Sequence, residues 1–486
     1  MVGTVETNST KARTVDVDVA VIGAGTAGMA AYRAVRKHGK KAVIIEAGPY
    51  GTTCARVGCM PSKLLVAAAE AAHHARASGP FGLSSAVKVD GRAVMDRVRR
   101  ERDRFVGFVL EAVEEFPPED RLRGRARFVA PGELDVDGTR VRARAVVIAT
   151  GSHPVIPAMF DRIRDRLVVN DDVFEWESLP ESVAVFGAGV IGLELGQALH
   201  RLGVRVRIFG RYGAVGPLAD PVVKAEAARI LQEELRVDFD ANVQSVEPEG
   251  EGVLVRWIDP DGSERMEYFE KALIATGRRP NVHGLGLEHA GIDPSWKIDR
   301  ETLQWGSSNV FVAGDANEDL PVLHEAADEG AIAGENAARF PDVRPGHRRT
   351  SLMIVFTDPA LAVVAGGYAA ASKGPFVAGE VDFGNQGRSR VMLKNQGRAR
   401  LYADPVTRRF LGAELVGPRA EHLAHLLAWA HQSGMTVDQM LSMPFYHPVV
   451  EEGIRTALRD LAAKLDAAAR QRSRSTTIRQ AEERRP

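Results

Sequence analysis

The chain has two cysteines, and they stand close together. Cys54 and Cys59 lie within Gly51-Thr52-Thr53-Cys54-Ala55-Arg56-Val57-Gly58-Cys59-Met60-Pro61-Ser62-Lys63. This spacing can close a small disulfide loop at the start of a helix, whose positive end stabilises a thiolate. A zinc reading would need more Cys or His in register; His73 and His74 alone do not make a site, and no metal is expected. The plainer alternative is a pair of buried structural thiols. A second group able to do chemistry is His447-Pro448-Val449-Val450-Glu451-Glu452. A histidine can take a proton near neutral pH, and a carboxylate five residues on can fix its tautomer and raise its basicity. A histidine on its own is more often structural, so its weight depends on the surrounding motif.

Two glycine loops are the elements that must position such groups. The apolar run Val17 to Ile22 ends in Gly23-Ala24-Gly25-Thr26-Ala27-Gly28, a helical stretch covers Met29 to Lys37, and the run Ala42 to Ile45 ends in Glu46. In this β-α-β order the glycines permit a tight turn and let backbone N–H groups approach a pyrophosphate, while the terminal carboxylate can accept from a ribose hydroxyl. Gly187-Ala188-Gly189-Val190-Ile191-Gly192 repeats the device, between Val183 to Phe186 and Val204 to Phe209. Here the strand ends in Phe209-Gly210-Arg211, with Gly210 in place of the acid that would favour NAD and Arg211 beside it offering a cation. NADP therefore competes with NAD, unless Arg211 simply points to water.

At 486 residues the chain has room for about three domains. A net charge of -1 gives no pull toward nucleic acid or acidic membranes, and neither is expected as a partner. No apolar run is long enough to span a bilayer, and Met1 to Asp16 reads as neither signal nor transit peptide, so a cytoplasmic location is expected. Arg92 to Phe116 reads as a long charged helix ended by Pro117 and Pro118. Ala149-Thr150-Gly151 closes the first nucleotide unit and Ala275-Thr276-Gly277 the second, after which Val310 to Ala313 returns to the first. From Ser351 the pattern becomes strands (Leu352 to Phe356, Arg398 to Tyr402, Phe410 to Val416) and then helices from Glu421. The expected fold is α/β, with two Rossmann-like (three-layer ββα) dinucleotide-binding domains and a C-terminal α+β dimerisation domain. The bounds read as 1–155 and 279–348 for the first, 156–278 for the second and 349–465 for the third. The basic stretch 466–486, poor in large apolar residues, is expected as a frayed helix or disordered tail.

Taken together, these motifs resemble the FAD-containing pyridine nucleotide-disulfide reductases. The paired loops, the Cys-x4-Cys segment ending in Pro-Ser-Lys, both Ala-Thr-Gly segments and Ala313-Gly314-Asp315-Ala316 occur in that family's order over almost the whole chain. The resemblance implies that the first loop binds FAD and the second NAD or NADP, with Ala126, Thr150, Gly151 and Asp315 matching positions that hold the flavin nucleotide. It also implies that Lys63 and Glu194 form the family's buried pair beside the flavin, and that His447 and Glu452 serve the disulfide of the other subunit in a homodimer. Within the family the chain is most similar to dihydrolipoyl dehydrogenases. His324-Glu325-Ala326-Ala327-Asp328-Glu329-Gly330 resembles their His-Lys-Ala-Glu-Asp-Glu-Gly run; Ala331 and Val190 stand where glutathione reductases carry an arginine and a tyrosine. The implied reaction is attack of a dihydrolipoyl dithiol, from a lipoyl-carrying protein or free, on the Cys54-Cys59 disulfide. His447 accepts the proton, Cys54 holds the mixed disulfide, and electrons leave through Cys59 to FAD and NAD(P)+. The alternatives are an NADPH-driven reductase of another disulfide or a metal ion, and a flavoprotein with a binding or redox-sensing role. Thr52 for glycine, Arg56 for a neutral residue and Val449 for threonine depart from the family pattern.

Overall fold

A computed structural model describes residues 13–293 and 295–483, with side chains to Ser473. The expectation for the extreme N-terminus concerns residues 1–12 and lies outside the described residues. Two compact units make up the chain: Met1–Met60, Arg100–Pro154 and Arg278–Arg349, and Pro61–Arg99, Val155–Gly277 and Thr350–Pro486.

In the first unit, Thr14–Ile22 is the central strand, paired in parallel with Ala42–Glu46 on one side and Thr139–Ile148 on the other. Arg121–Arg123 extends one edge, Val310–Val312 pairs with Thr139–Ile148, and the antiparallel ribbon Ala126–Ala130 and Glu133–Val136 completes a seven-stranded sheet. Val19, Val21, Ile44 and Val147 are fully buried because a parallel strand is covered on both faces, which is why the sequence reads as unbroken apolar runs. Helix Leu323–Arg339 packs on helix Thr26–Lys37 with almost no gap. A Cβ at Gly330 would meet Ala27 O at 2.1 Å, and one at Gly334 would meet Ala31 O at 2.3 Å. The glycine that ends the His324 to Gly330 motif is thus a helix-packing requirement.

The second unit holds another parallel sheet, in the order Val237–Asp238, Arg205–Phe209, Ser182–Phe186, Lys271–Ile274, Leu167–Val168, with a three-stranded antiparallel sheet between Asn242 and Phe269. Its remaining sheet is wholly antiparallel: Leu352–Val355, Ala360–Val364, Phe410–Gly417, Arg398–Ala403, Val377–Asp382. Helices Ala420–Gln432 and Glu452–Glu483 bury Leu423, Leu427, Leu458 and Leu461 in the same core as this sheet.

Of the two expectations for the C-terminal stretch, a frayed helix or a disordered tail, the described residues follow the helical one: a single helix runs from Glu452 to Glu483. The tail lacks the apolar residues of a core, but Ala467 to Ala469, Arg470 and Gln471 are strong helix formers, so an existing helix extends through them at low cost.

Candidate active site

Both glycine loops have the same construction. Gly23 has φ +105°, and a Cβ on it would meet Ala149 O at 2.3 Å; Gly187 has φ +116° and the corresponding distance to Ala275 O is also 2.3 Å. A Cβ at Gly28 would lie 1.8 Å from Gly23 O, and one at Gly192 1.9 Å from Gly187 O. Gly25 and Gly189 are the N-cap residues of the following helices, and a Cβ on either would meet nothing within 4 Å, so space is left in front of each helix N-terminus. The outer glycines close the turn while the middle one keeps the anion position open.

Around the first loop the structure brings together the residues expected for FAD. Glu46 ends its strand and accepts from Ala24 N–H (2.8 Å) on one oxygen and Gly48 N–H (2.7 Å) on the other. It therefore fixes the glycine loop and keeps lone pairs for a ribose. Gly124 N–H donates to Glu46 O (3.1 Å), which sets the buried Ala126, two residues on, next to this strand end. Gly151 has φ +68° and open space around it. Asp315 accepts from Ser152 Oγ (2.6 Å), which in turn accepts from Arg278 Nε (2.8 Å). Thr150 Oγ1 is buried with no hydrogen-bond partner among the described residues. A buried hydroxyl without a partner beside an open phosphate cradle is what a polar cofactor would satisfy, so the residues fit FAD.

At the second loop, Gly277 has φ +115° with open space around it. Gly210 differs from a residue that could present a side chain. A Cβ there would lie 2.9 Å from Asp238 O and from Phe239 Cα, and its own N–H and C=O are used by Asp238 O and Ala241 N–H. The place of the acid is closed by backbone. Arg211, next along, is exposed and its guanidinium stacks over the Tyr212 ring at 4.7 Å.

Cys54 lies on the short helix Thr53–Val57, half-buried, and Cys59 is the exposed first residue of helix Cys59–Arg76. Gly58 lets the two segments approach: a Cβ on it would lie 3.2 Å from Cys54 Cα. Thr52, which departs from the family's glycine, has φ +56° and ψ 152°, a region open to glycine and costly for a β-branched residue. Its hydroxyl accepts from Ala55 N–H (3.2 Å), which offsets part of the strain. Thr52→Gly is therefore expected to raise stability by about 1 kcal/mol, since it removes about 1–3 kcal/mol of strain and loses a cap and some backbone entropy. Thr52→Ala keeps the strain and loses the cap, so it should lower the melting temperature measured by scanning fluorimetry. Equal shifts for both variants would rule this account out.

One turn beyond Cys59 on the same helix, Lys63 Nζ lies 2.6 Å from Glu194 Oε2, and the Glu194 side chain is 4% exposed. The second oxygen of Glu194 accepts from Phe356 N–H (2.9 Å), and Lys63 sits 4.6 Å over the Phe356 ring. Glu194 is carried on the helix that the second glycine loop opens, yet its carboxylate serves Lys63. Phe356 was not singled out from sequence; a lone aromatic at a strand end gives no signal.

His447 and Glu452 meet as expected. His447 Nδ1 is 3.0 Å from Glu452 Oε2, with the histidine side chain 80% exposed and the glutamate 17%. With Nδ1 held by the carboxylate, Nε2 faces outward and can act as the base. Desolvation draws the Glu452 pKa upward, but the bonds from His447 and Val449 N–H and the charges of His447 and Arg455 outweigh it and hold it below the usual carboxylate value. Ser152 and Arg455 also went unnoticed in the sequence. Ser152 follows the Thr-Gly dipeptide directly, and Arg455 stands one helical turn after Glu452, so position relative to the motifs was the available signal.

Residues 17–330 match the model of the pyridine nucleotide-disulphide oxidoreductase family and residues 352–458 match the dimerisation domain of that family. A dihydrolipoyl dehydrogenase of Thermus scotoductus is 31% identical over 90% of this chain and 96% of its own length. A mercuric reductase of Staphylococcus aureus is 28% identical over 91% of this chain and 82% of its own. Among solved structures, LpdA of Mycobacterium tuberculosis superposes with a TM-score of 0.77 at 26% identity, covering 91% of this chain and 99% of that one. Among the described residues no helix is long and apolar enough to cross a membrane. The chain belongs to the pyridine nucleotide-disulphide oxidoreductases, enzymes dependent on FAD and NAD(P), and carries their dimerisation domain.

Proposed function

We propose that the enzyme is a dihydrolipoyl dehydrogenase acting as a homodimer, with a lipoyl-carrying protein or free dihydrolipoamide as its dithiol source. The observation that carries this reading is the His447–Glu452 pair, whose Nε2 is presented to solvent with no partner of its own among the described hydrogen bonds. A dithiol needs such a base; a sensor or binding protein does not. In the proposed reaction one substrate thiol loses its proton to His447 and attacks Cys54, and Cys59 leaves as a thiolate favoured by the helix N-terminus. The second substrate thiol then displaces Cys54, so the substrate leaves as a disulfide and the cysteine pair holds two electrons. FAD, which the Gly23 to Gly28 loop, Glu46, Thr150 and Asp315 would hold, would supply the two-electron acceptor that links the cysteine pair to the nicotinamide. Lys63, held by Glu194, supplies positive charge on the Cys59 helix where negative charge then builds. Residues 1–155 and 279–348 would hold FAD, 156–278 NAD or NADP, and 349–465 the dimer contact. A cytoplasmic location fits a chain whose two cysteines are a reactive pair.

The test is a steady-state assay of dihydrolipoamide with NAD+ and NADP+ in parallel. Turnover supports the reading, and its absence with either acceptor sinks it. A second reading, an NADPH-dependent reductase of another disulfide, is favoured by the closed position at Gly210 beside an exposed Arg211. Metal-ion reduction as in the mercuric reductases is less well supported, because the chain has no cysteine beyond Cys54 and Cys59 with which to present a metal. Arg211→Ala is expected to raise the KM for NADP(H) by about threefold while leaving that for NAD(H) unchanged, the yield of one exposed charge pair. An equal effect on both nucleotides would remove Arg211 from cofactor selection.

A further inference from the structure

We infer that Arg455 is the positioning residue of the acid–base pair, an assignment that rests on reading His447 as the base. Glu452 opens helix Glu452–Glu483, and Arg455, one turn on, donates from Nη2 to Glu452 Oε1 at 2.8 Å. The other oxygen, Oε2, meets His447 Nδ1 at 3.0 Å and Val449 N–H at 3.4 Å. Each carboxylate oxygen thus has a separate duty. A lone glutamate at a helix start can rotate and offer either oxygen, or neither, to a histidine that is mostly exposed. One oxygen tied to a guanidinium leaves only Oε2 for the imidazole.

The arginine is itself held at both ends. Its backbone lies in a helix whose neighbouring Ile454, Ala457 and Leu458 are buried, and its guanidinium lies 5.6 Å over the ring of Phe445, two residues before His447. Arg455 therefore touches both arms of the loop that runs from Phe445 to Glu452. The loop has another anchor in Gln386, whose Nε2 donates to Val449 O at 2.8 Å, so it does not depend on Arg455 for its existence. Among the described residues the charged partners of the Glu452 carboxylate are His447 and Arg455 alone. The cation contributes a second effect: by sharing the carboxylate it weakens the hold of Glu452 on an imidazolium, which favours return of the proton.

The experiment uses the FAD-loaded dimer and the variants Arg455→Met, Arg455→Lys, His447→Gln and Arg455→Met/His447→Gln. With dihydrolipoamide and NAD+, Arg455→Met is expected to lower kcat by about tenfold, and Arg455→Lys to recover to within about threefold. The acid limb of the pH–rate profile should move to higher pH in the methionine variant. In the double variant the loss should match that of His447→Gln alone, because an arginine that acts only through the pair has nothing left to position. Additive losses, or an unshifted profile with equal losses of dithiol and artificial-acceptor activity, would overturn the assignment and mark Arg455 as a packing residue. If His447→Gln retains full dithiol oxidation, the reading of the base fails and the assignment with it. If His447→Gln is impaired and Arg455→Met is not, the assignment alone fails.

Discussion

His447→Gln is expected to lower dithiol oxidation by at least about a hundredfold at pH 7, the usual return from a positioned general base. The side chain is 80% exposed, so its replacement opens no cavity, and the melting temperature should stay at the wild-type value. Glutamine can still donate to Glu452 Oε2 but cannot accept a proton from a thiol. The same variant should keep its diaphorase activity, in which NADH reduces the flavin and an artificial acceptor drains it, since no substrate thiol is deprotonated there. Parallel loss of both activities would instead assign His447 a structural role.

The larger effect belongs to the redox pair. In Cys59→Ser, dithiol oxidation should fall by at least about a thousandfold, as expected when a residue that forms and breaks bonds is removed from a concerted set. FAD should stay bound, because the groups that fit it are the Gly23 to Gly28 loop, Glu46, Thr150 and Asp315 rather than the exposed Cys59. The long-wavelength charge-transfer absorbance on two-electron reduction should disappear, since it needs a thiolate against the flavin, and serine stays protonated. Cys54→Ser should keep that absorbance and still lose turnover, having lost only the thiol that meets the substrate. A full band in Cys59→Ser would reverse the roles of the two cysteines.

The parts legible from sequence were those in which function and position are set within a few residues. A glycine loop between a strand and a helix closes on itself: Gly28 must clear Gly23 O, five residues back, and the sequence contains both partners. The His447–Glu452 pair, five apart across a short loop, and the Cys54–Cys59 pair are local in the same sense. Strand and helix identity followed from apolar runs because parallel strands are buried on both faces. Composition left two readings open for the basic tail, a frayed helix or disorder: it has no core to join, yet its alanine and arginine content continues a helix already nucleated in the core.

Tertiary structure decided what depends on separation along the chain or on backbone shape. Glu194 stands 131 residues from Lys63, and only the packing of two helices puts its carboxylate at 2.6 Å and leaves it nearly dry. The hydroxyl of Thr150 is buried without a partner among the described residues, and the Gly23 backbone that lies beside it stands more than a hundred positions away in the chain. Thr52 reads from sequence as a departure from the family's glycine; only its positive φ shows what the substitution costs. Gly210 reads as a missing acid; the neighbouring strand's carbonyls show that no side chain fits there. In this protein the sequence by itself determined which chemical groups are present and in what order. Distance, desolvation and strain come from chain segments brought together only by folding, so which groups face one another, and which are dry enough to matter, was decided by the tertiary structure.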